Sequence, residues 1–121
     1  MKKELRLRKA KEFSFVYNNG QSWADHLLVL KAMPNGTQYT SRLGFSVGKR
    51  AGNAVVRNTI KRRTKEAVRY TQIIGGWDLV FIARSNANKA DYNSLRSSVY
   101  KLLNKASLLM QEHPGTKRKI S

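Results

Sequence analysis

Between Gly48 and Tyr70 the chain reads GKRAGNAVVRNTIKRRTKEAVRY, with eight lysines and arginines against one acid, Glu66. Lysine and arginine recognise phosphate through charge-assisted hydrogen bonds, so their arrangement decides whether this stretch can grip a polyanion. A helix turns about 100° per residue; with Arg57 at the origin, Lys61, Lys65, Asn58, Arg69 and Arg62 fall within an arc of about 140°. Val56, Ala67, Ile60, Thr64 and Val68 share the neighbouring arc. One face can dock on a core while the other stays cationic, and Arg63 at the apolar margin can snorkel outward on its long stem. An ordinary solvated helix mixes its signs, often as acid–base pairs four residues apart. Here like charges repeat at that spacing and destabilise the isolated helix, which a polyanionic partner would offset. Lys49 and Arg50 lie between Gly48 and Gly52 just before the helix, where free N–H groups and the helix dipole favour phosphate. Asn53 suits the N-cap. Asn58 is a mediocre mid-helix residue whose amide can both donate to and accept from RNA.

No residue set of comparable order points to catalysis by the protein itself. A stand-alone nuclease needs a general base or a carboxylate cluster holding metal. The two histidines, His26 and His113, are far apart, and the seven acids are scattered singly. His26 reads as a strand-surface residue and His113 as part of a tail. The absence of cysteine removes thiolate nucleophiles, zinc thiolates and disulfides. We therefore expect no catalytic residue and no metal ligand on the protein. The alternatives are a nuclease assembled only in the tertiary structure, or a ribosomal or other structural RNA-binding protein.

The whole composition points the same way. Lys and Arg number 24 against 7 Asp and Glu in 121 residues, a net charge of +17. Self-repulsion of that size opposes compaction and suggests a nucleic-acid partner, with an anionic membrane surface second. No apolar run approaches the roughly 18 residues of a membrane span, and the basic N-terminus lacks the apolar stretch of a signal peptide. The chain reads as one soluble intracellular domain over residues 1–121. It has a basic N-terminal segment at about 1–8 and a frayed basic tail at about 113–121.

The elements that must position the basic helix can be read from periodicity. Phe13, Val16 and Tyr17 share one face of a helix over about 9–18, with Gly20 suited to a left-handed C-terminal position. Residues 22–33 are rich in strand formers at their centre, with room to break into two strands, and PNGT at 34–37 supplies a turn. Leu43, Phe45 and Val47 alternate with Arg42, Gly44 and Ser46, predicting an antiparallel hairpin between 22–33 and 38–47 with one covered face. The basic helix should run from about Asn53 to Thr71 or Gln72, ended by the glycines at 75–76. WDLVFIAR (77–84) is apolar almost throughout, as a central strand would be. A last helix capped by Asp91 should carry Leu95, Val99, Leu102, Leu103, Ala106, Leu109 and Met110 on one stripe. The sum is an α+β sandwich, helices on a mostly antiparallel sheet.

These residues carry a resemblance. SVGKRAGNAVVRNTIKRRTKEA is similar to the signature of the bacterial ribonuclease P protein component, a G-N-A-V-x-R-N-x-x-K-R run on a basic helix. LRKAKEFSFVYNNGQSW resembles that family's first helix, RLGFSVGKR the strand and turn before the signature, and WDLVFIAR the strand after it. The resemblance implies a two-layer sandwich in the order α-β-β-β-α-β-α with a left-handed β-α-β crossover. It also implies a cytoplasmic bacterial ribonucleoprotein that removes the 5′ leader of precursor tRNA. In that family the RNA subunit holds the active site and its Mg²⁺, while the protein helps bind the leader and supports metal affinity. Carried over by position, Lys49, Asn53, Arg57, Asn58, Lys61, Arg62 and Lys65 match the RNA-facing motif, and Phe13 and Tyr17 match the leader-binding aromatics. From the residues alone, aromatics four apart are more often core, although Phe13, Phe15, Val16 and Tyr17 are too many for one small face. Two positions depart from the family pattern: Thr59 stands where a third basic residue is usual, a contact Arg63 could supply, and Lys31 stands where some members place an aromatic in the leader cleft.

Overall fold

The computed structural model describes residues 6–37 and 39–110. Three helices and four strands follow the order α1 (Ala10–Asn19), β1 (Gln21–Ala24), β2 (Leu28–Pro34), β3 (Arg42–Val47), α2 (Ala54–Arg69), β4 (Trp77–Ala83) and α3 (Tyr92–Lys105). Short 3₁₀ turns at Lys49–Ala51 and Ser85–Lys89 precede α2 and α3. The seven-element order expected from the resemblance is the one observed. The tail expected at 113–121, with His113, lies outside the described residues.

The strands form one mixed sheet in the order β1-β2-β4-β3. β2 is antiparallel to both β1 and β4, whereas β3 runs parallel to β4, with Leu43 opposite Leu79 and Phe45 opposite Phe81. This corrects the hairpin expected between 22–33 and 38–47. The tight hairpin is internal to the first segment, where Asp25 accepts the N–H groups of Leu27 and Leu28 at 3.0 and 2.9 Å and turns the chain. His26 lies in that turn rather than on a strand, its carbonyl accepting from Asn86 Nδ2 at 3.1 Å. β4 inserts between β2 and β3, because its continuous apolar run can bury both faces and only a central position offers two covers.

Those covers are unequal. Leu28, Leu30, Ala32, Leu43, Phe45, Leu79 and Phe81 pack against Ile60, Ala67 and Val68 of α2 and Leu95, Val99, Leu102 and Leu103 of α3. Each Val, Leu, Ile or Phe side chain among them, fully buried, contributes about 1.5–3 kcal/mol. On the other face α1 brings Val16 and Phe13 onto Val80, Met33, Ile82 and Leu7. Gly44 permits this approach: a Cβ there would lie 2.6 Å from Phe13 Cε1. The alternation of β3 therefore does not mean one solvated face, since the Gly44 side is covered by an aromatic ring.

Helix ends differ from expectation in three places. Gly20 has φ −81°, ordinary extended backbone; it is glycine because a Cβ would come within 2.7 Å of the Val16 carbonyl and 3.0 Å of that of Ala32. α2 ends at Arg69, before the glycine pair, and the following segment is held by the Ile74 N–H bond to the Leu108 carbonyl. α3 stops at Lys105, where Ser107 takes φ 61°; Leu108 is buried, Leu109 bridges Ile73, and Met110 is exposed. The apolar stripe beyond Lys105 is thus a docked extended segment rather than a fifth turn.

Candidate nucleic-acid interface

Asn53 caps α2 by accepting the Val56 N–H at 3.0 Å, so its side chain is committed to the helix. The 3₁₀ turn before it exposes Lys49 and Arg50 and buries Ala51, which anchors the turn to the core. Gly52 has φ 145°, and a Cβ would sit 2.8 Å from Val56 Cγ1, so the chain enters the helix through a conformation and a gap that glycine alone accepts. Arg57 Nε donates to the Gly52 carbonyl at 3.1 Å, which fixes the arginine stem over that turn.

From there the expected division of α2 is observed. Ile60, Thr64, Ala67 and Val68 are buried, while Asn58, Arg62 and Arg69 are exposed and Arg57, Lys61 and Lys65 are half-buried. Burial, together with the nearby charges of Arg6 and Lys61, pushes the Lys65 ammonium below its ordinary value. Arg6 reaches this neighbourhood because residues 6 and 7 run alongside β3, Arg6 pairing with Leu43 in parallel and the Leu7 N–H donating to the Leu43 carbonyl at 2.9 Å. Nothing in the spacing of residues groups Arg6 with α2, since strand pairing is what brings it there. Arg63 turns away from the cationic row and donates to the Ala90 carbonyl at 3.0 Å, so it ties α2 to the start of α3. Thr59 returns its hydroxyl to the Val55 carbonyl. Glu66 pairs with Arg69 at 3.5 Å, an exposed contact worth little.

The aromatics of α1 separate into two environments. Phe13 is half-buried over Gly44, whereas Tyr17 is 53% exposed. Lys31, on the same sheet face, places its ammonium 4.7 Å from the Tyr17 ring centroid and donates to the Tyr17 carbonyl at 3.2 Å. Phe15 also projects outward. Beside α1, Arg42 makes a two-pronged contact to Asp78, from Nε at 3.0 Å and Nη2 at 2.7 Å, and reaches Glu12 from Nη1 at 3.2 Å. Glu12 also accepts the N–H groups of Lys9 and Arg8; these hold its carboxyl below the ordinary range, burial opposing and Arg42 assisting.

Every described carboxylate is engaged within the fold. Asp25 accepts the Ser98 hydroxyl at 2.6 Å, Asp91 caps α3 through the Ser94 N–H, and Asp78, Glu12 and Glu66 hold arginines. Among the described residues no three of His, Asp and Glu come together as a metal site. No described helix is long and apolar enough to cross a membrane. What the arrangement can do chemically is present a dense cationic row beside a half-open sheet face bearing aromatics.

Comparison with known proteins gives this surface its context. The family profile described as Ribonuclease P matches residues 1–107. The ribonuclease P protein component of Roseiflexus castenholzii is 46% identical over 112 residues, covering 90% of this chain and 91% of the relative. That of Caldanaerobacter subterraneus subsp. tengcongensis is 42% identical over 108 residues, covering 88% and 92%. Among solved structures, the Staphylococcus aureus RNase P protein superposes with a TM-score of 0.78 at 32% identity, covering 88% of this chain and 98% of that one. The Thermotoga maritima RNase P protein gives 0.74 at 31%, covering 83% and 96%. With fold, order of elements and sequence agreeing over nearly the whole length, the chain belongs to the bacterial ribonuclease P protein component family.

Proposed function

We propose that this protein binds the catalytic RNA of ribonuclease P through α2 and the 5′ leader of precursor tRNA beside α1, and is inactive in leader removal alone. The observation that carries the reading is the solvent face of α2. Arg57, Asn58, Lys61, Arg62, Lys65 and Arg69 share it with a single acid on a helix whose other face is locked into the core. A row of cations spaced four residues apart rises about 6 Å per step, a spacing suited to following a phosphate backbone. Lys49 and Arg50 extend the row beyond the helix N-terminus.

The leader-binding assignment rests on the half-open sheet face, where Tyr17, Lys31 and the edge of Phe13 combine rings and charge. Single-stranded RNA is held by such platforms with little sequence preference. Mg²⁺ belongs to the RNA in this reading. The described carboxylates are each occupied by amides, hydroxyls or cations and do not fit a resident metal. The protein's contribution to metal affinity is indirect, through neutralising phosphates that would otherwise repel one another.

The test is cleavage of precursor tRNA by a bacterial ribonuclease P RNA at low Mg²⁺, with and without the protein. We expect none from protein alone and a lowered Mg²⁺ requirement when both are present. Robust cleavage by RNA-free protein, lost on changing a carboxylate, would overturn the reading in favour of a protein nuclease.

A further inference from the structure

At the far end of α2 from the Asn53 cap lies a groove bordered by the chain leading into β3. Its volume is about 260 Å³; Leu43, Val68 and Ile73 form its apolar lining, and Tyr39, Thr40 and Arg69 also border it. That is just short of the roughly 300–1,000 Å³ of drug-sized sites, and suits one flat ring rather than an extended ligand. The walls are preformed. The Thr40 carbonyl accepts the Gly76 N–H at 3.0 Å and Asn35 Nδ2 at 3.1 Å. Ser41 Oγ donates to the Ile74 carbonyl at 2.7 Å and accepts the Trp77 N–H at 3.0 Å.

We propose that this groove holds one unpaired nucleobase of the RNA partner, stacked on Tyr39 with Arg69 at its edge. Tyr39 is 85% exposed, so most of its ring is open to a partner. Arg69 lies over Tyr70, itself exposed, with its guanidinium carbon 5.9 Å from that ring centroid, so cation and aromatic surface meet where the groove opens. Among the described residues the acid paired with Arg69 is Glu66, at 3.5 Å and solvent-exposed, a weak contact that an anion can displace. Arg69 is also the last member of the Arg57, Lys61, Lys65 row, about 18 Å along the axis from Arg57. A phosphate backbone following that row reaches the groove, and the chain's charge of +17 favours a polyanion over a protein segment.

The inference rests on the function proposed above, and the experiment separates the two. Affinity of the full chain for a bacterial ribonuclease P RNA transcript is measured against salt for wild type, Tyr39→Ala, Tyr39→Phe and Tyr39→Trp, with a melting curve for each. A stacked base predicts that Tyr39→Ala weakens binding roughly 5- to 150-fold. The slope of log affinity against log salt stays unchanged, because stacking releases no counterions. Phe and Trp keep the affinity, and all four proteins melt together. Wild-type binding with Tyr39→Ala unaffected sinks the groove alone, as expected if a protein segment fills it instead. Equal losses in Ala and Phe mean a hydroxyl contact and also overturn stacking. Failure of wild type to bind the transcript with a salt-dependent affinity removes the proposed function and the groove with it.

Discussion

Phe13 and Tyr17 share a sequence motif yet have different physical jobs available to them. The Phe13 ring fills the space over Gly44, so Phe13→Ala should lower stability by about 2 kcal/mol, less than the 3–5 kcal/mol of a fully buried ring. Tyr17 is half exposed, so Tyr17→Ala should leave the melting curve nearly unchanged. If Tyr17 stacks on the leader, its truncation costs the assembled enzyme up to about 1–3 kcal/mol of affinity for precursor tRNA and nothing for mature tRNA. Equal losses for both RNAs would take Tyr17 out of the leader site. Arg57 is also dual. Its bond to the Gly52 carbonyl gives Arg57→Ala a stability cost of about 1 kcal/mol. The loss of one phosphate contact should reduce the salt slope of RNA binding by about one. Lys65 supplies a direct reading of contact. Its ammonium is depressed by burial, Arg6 and Lys61 in the free protein, so RNA phosphates nearby should move its titration upward, observable by NMR of the labelled side chain.

α2 depends on how the chain enters it. Gly52 at φ 145° sits against Val56, so Gly52→Ala meets both a forbidden backbone region and a Cβ contact of 2.8 Å. We expect a loss of about 1–3 kcal/mol in denaturant unfolding, with RNA affinity reduced because Lys49 and Arg50 are displaced relative to the helix. Asn53→Ala, which removes the cap without forcing the backbone, should cost about 1 kcal/mol. A larger loss for Asn53→Ala than for Gly52→Ala, measured by the same unfolding, would mean that the cap rather than the turn sets the helix start. α3 is anchored differently, through Arg63 to the Ala90 carbonyl and through Asp25 to Ser98, so the two helices are joined to each other and to the β1–β2 turn.

For the molecule as a whole, charge and fold pull against each other, and the few acids matter disproportionately. Asp25 is opposed by burial, yet the Ser98 hydroxyl, the Leu28 and Leu27 amides and Lys101 together hold its carboxyl below the ordinary 3.8. Asp91, through the Ser94 amide and hydroxyl, and Glu12, through the Lys9 and Arg8 amides, are lowered as well. A carboxyl whose pKa falls on folding stabilises the native state above its unfolded value, and that contribution disappears as pH drops through the folded value. Melting temperature should therefore be insensitive to these groups near pH 7 and fall below about pH 4, as the ordinary values of 4.5 for Glu and 3.8 for Asp are passed. An Asp25→Asn protein should show a shallower acid decline. If its decline matched wild type, Asp25 would not be among the groups responsible.

The sequence by itself determined what depends on local spacing. The two faces of α2, the Asn53 and Asp91 caps and the central position of WDLVFIA were all legible, because helix period, cap chemistry and continuous apolarity act within a few residues. The resemblance added the order of elements and the family. Strand neighbours were not legible: alternation in Arg42–Val47 says which side chains share a face, but not that β4 would come between β3 and β2. Nor could periodicity end α3 at Lys105, because Ala106, Leu109 and Met110 keep helical spacing, whereas the chain leaves the helix as an extended segment that buries Leu108 and pairs with Ile73 and Ile74. The same holds for the site. The cations of α2 were visible as a row, but Arg6 joins Lys65 only through pairing with β3, and Tyr39 and Arg69 border one groove only because the approach to β3 packs beside the end of α2. Those contacts join residues some 30 to 60 positions apart, and the tertiary packing that closes such loops is what selects them.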